Sequence, residues 1–157
     1  LYASRFERVP EPLYFYYQDP CSTVHTVSIP RCEDRMKAME IYKKECMERG
    51  FLEKYPEEIL YKIIELGYKT TLFSYLQATA FPSLAFVYRL RRFLLTQAPD
   101  YEDNPYYRQY TDGESRKLIA LHMKSPVLFL LYYRLLHGYR RLRYGRDRKS
   151  KKTPQAK

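Results

Sequence analysis

The chain has 157 residues, with 18 Tyr and 8 Phe, no Trp, only 5 Gly, and a formal charge of +10. That length suits one domain, and so few glycines argue against folds that wrap a ligand in glycine-rich loops. The charge is local: residues 125–157 hold six Arg and four Lys against one Asp, whereas residues 1–125 hold 18 basic and 17 acidic side chains.

Residues 1–27 read as an extended arm, because Pro10, Pro12 and Pro20 block helix and the run Leu13 to Tyr17 has no helical or alternating period. Such a run packs either on its own body or across a neighbour. No secretory signal is expected from this polar, proline-broken start. The chain begins on Leu1 rather than Met, as trimming or removal of an organellar presequence would leave it. Cys21, Cys32 and Cys46 make no even disulfide framework. One Cys21–Cys32 bridge is allowed, and three free thiols are the preferred reading. With His25, His122 and His137 scattered, no metal is assigned, and nothing implies a cofactor.

A first helix is expected from Ser28 to Arg49, with Pro30 in its first turn, Glu33 and Asp34 near its positive end, and Gly50 as its stop. Cys32, Met36, Met39 and Cys46 form its apolar stripe. Pro56 opens a second helix with Ile59, Leu60, Ile63 and Ile64 on one face, and Gly67 is read as its end. Together they suggest an α-hairpin connected through 51–55.

Residues 70–88 are uncharged. As one helix they would span about 28 Å, near the thickness of a bilayer core. Six Thr, Ser and Gln residues and the kink expected at Pro82 make this a borderline membrane span. A pair of buried helices divided at Pro82 is the competing reading. Residues 97–110 read as a tyrosine-rich loop. Thr111 with Glu114 resembles a capping box, which predicts a helix over 112–124.

The last helix should run from Pro126 to Tyr144 and end at Gly145, with a disordered basic tail over 146–157. Leu128, Leu131, Leu135, Gly138 and Leu142 fall at spacings of 3 and 4, a narrow helix-docking seam on which Gly138 permits close approach. The first half, residues 127–133, is apolar all round and is expected to be buried on every side. Beyond it, Arg140, Arg141, Arg143, Arg146, Arg148 and Lys149 form a basic end suited to anionic lipid headgroups, RNA phosphates or an acidic protein. The two apolar stretches, 70–88 and 126–136, both end in arginines, so consecutive crossings would offend the positive-inside rule. At most one is expected to cross.

The residues LYYRLL at 131–136 are similar to the Leu-Tyr-Arg signature of the LYR-motif proteins, small helical mitochondrial accessory subunits and assembly factors. The resemblance covers six residues, a second Tyr interrupts the triplet, and the position is late in the chain rather than in a first helix. No residue role is carried over from it.

No phosphate-binding glycine loop, HExxH, CxxC or nucleophile elbow is present. The expectation is therefore an all-α protein of about five or six helices: an arm over 1–27, a helical domain over 28–145, and the tail. Its expected role is that of a non-catalytic accessory subunit among other proteins, in a mitochondrial inner-membrane energy-transducing complex such as the respiratory chain or ATP synthase. Location would be the inner membrane or its matrix side, with anionic lipid as a contact. The alternative is a mitochondrial ribosomal protein whose basic tail meets rRNA.

Overall fold

The computed structural model describes residues 27–150, with side chains described to residue 140. The arm over 1–26, with Cys21 and His25, and the tail over 151–157 lie outside the described residues. The fold is all-α, and no strand occurs among the described residues.

Helix α1 spans Ile29–Glu48, entered at Ser28 with Pro30 in its first turn, where a missing N–H is harmless. Its stripe behaves as the spacing predicts: Cys32 and Cys46 are buried free thiols, and Met36 and Met39 are partly buried. Gly50, at φ 71°, makes the left-handed turn that lets the chain reverse. A one-turn helix α2, Phe51–Lys54, fills the connection and leads into α3, Pro56–Lys62.

The chain does not stop at Gly67. Helix α3 runs directly into a π-helical segment, Ile63–Thr70, and then into α4, Thr71–Ala78. The burial pattern gives the physical reason. Buried pairs recur every four residues: Ile63 with Ile64, Gly67 with Tyr68, Thr71 with Leu72, Tyr75 with Leu76. A pure α-helix, at 3.6 residues per turn, would rotate such pairs steadily off the core. The wider i→i+5 ladder takes up the difference and keeps the row straight. Gly67 is buried because α1 and α5 come close there: a Cβ would lie 2.9 Å from the Phe93 ring and 3.0 Å from Met39 Cγ.

Residues 70–88 are not one helix. The chain leaves helix at Thr79 and re-enters at α5, Leu84–Gln97. Pro82 sits in the break, and the Tyr75 hydroxyl accepts a hydrogen bond from the Ser83 N–H at 2.8 Å. Ser83 Oγ in turn caps α5 by accepting from the Phe86 N–H. Among the described residues, no helix is long and apolar enough to cross a membrane. Lys43 donates to the Gln97 carbonyl at 2.6 Å, and Glu33 pairs with Arg89, so the middle and the C-terminal end of α5 are tied to α1. Glu33 thus serves α5 rather than its own helix end.

The stretch 97–110 is also more ordered than its composition suggests. Asn104 accepts from the Tyr107 N–H at 3.0 Å and so caps a short helix α6, Pro105–Tyr110. Its side-chain nitrogen donates to the Glu57 carbonyl at 2.8 Å, docking α6 on α3. Tyr101 and Tyr107 are buried edge to face with centroids 5.4 Å apart, and Tyr106 reaches Glu58 at 2.8 Å. These tyrosines help hold the protein's own body together.

Helix α7 spans Gly113–Lys124, and its cap is Asp112, which accepts from the Ser115 N–H at 2.8 Å, not Thr111. Thr111 is buried, and Glu114 is turned toward Arg140 instead of back to its own helix start. The same N–H contact holds the Asp112 carboxyl below its usual range. Asp112→Ala should therefore cost about 1 kcal/mol, read as a lower thermal midpoint near neutral pH. Asp112→Ser should keep most of that stability. Since the folded-state pKa is depressed, the cap's contribution is present above the ordinary carboxylate pKa and fades as pH falls below it.

Helix α8, Pro126–Ser150, returns antiparallel along α7 after one joint residue, Ser125. It continues through Gly145, which lacks the left-handed conformation of a stop, and carries helical backbone to Ser150. The core gathers on His122 of α7, which is fully buried. Its Nε2–H donates to the Val87 carbonyl of α5 at 3.1 Å, which leaves Nδ1 to accept from the Tyr68 hydroxyl at 2.6 Å. Phe129 of α8 closes the remaining side with ring centroids 4.8 Å apart.

Candidate docking surface

Ser125 and Pro126 set the register of α8. The Ser125 hydroxyl accepts from the Leu128 N–H at 3.3 Å, and the buried Pro126 needs no partner for an absent N–H. From that start the helix has two apolar faces. The inner one, Pro126, Phe129 and Tyr133, packs on α7 and α5.

The outer face is left open. Leu128, Leu131 and Leu135 are 56%, 57% and 66% exposed, with Val127, Tyr132 and Tyr139 beside them at half exposure or more. Among the described residues the core fills one face of α8 only, so they do not bury the segment 127–133 on every side. Leaving three leucines in water forgoes about 1 kcal/mol each. Together they form an apolar row along the exposed side of the helix. Gly138 continues the row, and a Cβ added there would meet nothing within 4 Å. Among the described residues no close approach exists for that glycine to permit. Leu142 shares the row by its place in the helix, with its side chain outside the described residues.

Beside Gly138 lies a cleft of about 410 Å³ between α8 and the α4–α5 connection, lined by Leu76, Thr79, Ala80, Pro82, Tyr133 and His137. Arg134 forms its rim. It donates to the Ala80 carbonyl at 2.9 Å and lies 5.4 Å over the ring of Phe81, itself 83% exposed. The order and spacing of leucines disclosed the row; the contribution of the distant 79–82 corner had no local signal.

The basic end divides. Arg140 has a carboxylate inside the chain, Glu114, at 2.8 Å. Arg141, Arg143, Arg146, Arg148 and Lys149 follow on helical backbone, their side chains outside the described residues. A second cleft, of about 570 Å³, lies between α6 and α7, where Arg108 is engaged by Asp103 and the Glu102 carbonyl beside Arg116 and Lys117. It holds mixed charge and no nucleophile–base pair. His122, the most perturbed base, is closed to any substrate by Tyr68, Val87 and Phe129. Among the described residues no group of three or more His, Cys, Asp or Glu is placed to hold a metal ion.

The chain matches no family model, no curated protein and no solved structure.

Proposed function

We propose that this protein is a non-catalytic accessory subunit of a large multiprotein assembly, attached to it through the outer face of α8. The observation that carries the reading is the row Leu128, Leu131 and Leu135, more than half exposed on a helix whose opposite face already completes the core. Burying that row against another subunit recovers burial that the isolated chain forgoes. The setting we propose is a mitochondrial inner-membrane energy-transducing complex. A nearly neutral body with its positive charge gathered at one end suits an anionic headgroup layer beside such a complex. The same basic end supports the second reading, a mitochondrial ribosomal protein.

Gentle detergent solubilisation of the native organelle, followed by native electrophoresis and gradient sedimentation, tests this. Co-migration with a membrane complex, insensitive to RNase, is expected. Sedimentation with ribosomal particles and release by RNase would establish the second reading instead, and migration as a free chain would sink both. Truncation after Gly145 should weaken retention at raised salt. Unchanged retention would remove residues 146–157 from the interface.

A further inference from the structure

We infer that the partner on the outer face of α8 is a helix of a different protein that carries acidic residues beside its apolar row, not a second copy of this chain. The inference rests on the docking role proposed above and names its partner class.

The row is narrow. Leu128, Leu131, Leu135, Gly138 and Leu142 occupy the two inward positions of a seven-residue repeat, the pattern of a seam between two helices. One flank of that seam is held by Tyr132, Tyr139 and Arg146, and the other by Val127, Arg134, Arg141 and Arg148. On the second flank, every repeat after the first turn places arginine at the same position. Those flanking positions decide which helix pairs with which.

Self-pairing fails on this pattern. In an antiparallel pair registered on Leu135, Arg134 of each copy meets Arg134 of the other. In a parallel pair Arg141 of each copy meets the position of Arg146 on its neighbour. Both arrangements oppose like charges, and the parallel one also brings the basic ends of residues 140–150 together. An acidic flank on a foreign helix reverses the sign at each position.

The structure also holds one of these cations in place. Arg134 is fixed by the Ala80 carbonyl and the Phe81 ring, so little freedom is lost when a carboxylate approaches. The open position at Gly138 and the adjoining cleft form a hole on the seam wide enough for a large side chain. A side chain from a facing helix fills a concave hole; a flat bilayer surface does not.

The test uses the full chain in its own cells, with photoreactive benzoylphenylalanine replacing Leu131 or, separately, Leu128. Cross-linked peptides are identified by mass spectrometry after irradiation. Expected is a segment of another protein with apolar residues at spacings of 3 and 4 and Asp or Glu beside them. Arg141→Glu with Arg148→Glu should lower cross-link yield about tenfold, roughly the effect of 1.4 kcal/mol, while Arg141→Lys with Arg148→Lys retains it. Thermal melting of the charge-reversed chain should stay unchanged, which separates lost docking from lost folding. Cross-links between two copies, to lipid or RNA, or to a segment without acidic residues would overturn the inference. So would their absence in a chain that still co-migrates with its assembly. A chain that joins no assembly overturns the underlying reading as well.

Discussion

Replacing His122 by Gln should remove a large part of the acid sensitivity of this fold between pH 6.5 and about 4. Burial of the ring, chiefly, pushes its pKa from 6.5 down to about 4; the bond to the Val87 carbonyl opposes this, and nearby Arg91 reinforces it. The unfolded chain therefore binds a proton at pH 6.5, while the folded chain resists until about 4. Between those values the unfolded state holds more protons, so stability is complete above 6.5 and declines as pH falls toward 4. The span corresponds to about 3 kcal/mol. Chemical denaturation of both chains across pH 8 to 4 measures it. Carboxylates such as Asp112 also protonate at the acid end, so the informative quantity is the difference between the two curves. Parallel curves would mean that His122 charges without cost. Tyr68→Phe gives a second reading of the same knot: losing the donor to Nδ1 leaves a buried acceptor unpaired and should cost about 1–3 kcal/mol at neutral pH.

Gly67→Ala should destabilise the protein even though alanine is the better helix former by about 1 kcal/mol. The new methyl would stand 2.9 Å from one Phe93 ring carbon and 3.0 Å from both another and Met39 Cγ. Met39 can bend aside, but Phe93 is only 5% exposed and held among core side chains. Overpacking of this sort costs about 1–3 kcal/mol, leaving a net loss of up to about 2 kcal/mol. Gly67→Leu should cost more, about 3–4 kcal/mol or the fold itself. Combining Gly67→Ala with Met39→Ala should lose less than the two separately, because the second change opens space for the first. A stabilised Gly67→Ala chain would show that α1 and α5 separate freely at this point.

These two sites mark where the sequence was least legible. Gly67 looks like a helix stop because a glycine required for close packing and one required for a turn are the same letter. Gly50, with its positive φ, was the true stop. Gly145 also looks like a stop, yet the helix continues through it. His122 gave no signal at all, since Tyr68 and Val87 lie 54 and 35 residues away. Asn104 and Pro105 resembled loop residues because caps and loops favour the same chemistry. By contrast, the starts of α1, α3 and α8 were readable from Pro30, Pro56 and Pro126, each in a first turn. The spacing of Leu128, Leu131 and Leu135 disclosed a seam, but spacing cannot say whether the chain itself covers it. Only the packing of Phe129 and Tyr133 showed that the other face of α8 meets the core.

The uncovered leucine row also bears on the life of the protein before it finds its place. On the docking role proposed above, a copy released without its partner displays that row to chaperones and proteases, which select for exposed apolar segments. Its abundance should then follow the supply of the partner rather than its own rate of synthesis, because a free copy is cleared while a docked one is hidden. If α8 docks as proposed, the face that joins the protein to an assembly is also the mark by which a surplus copy is removed.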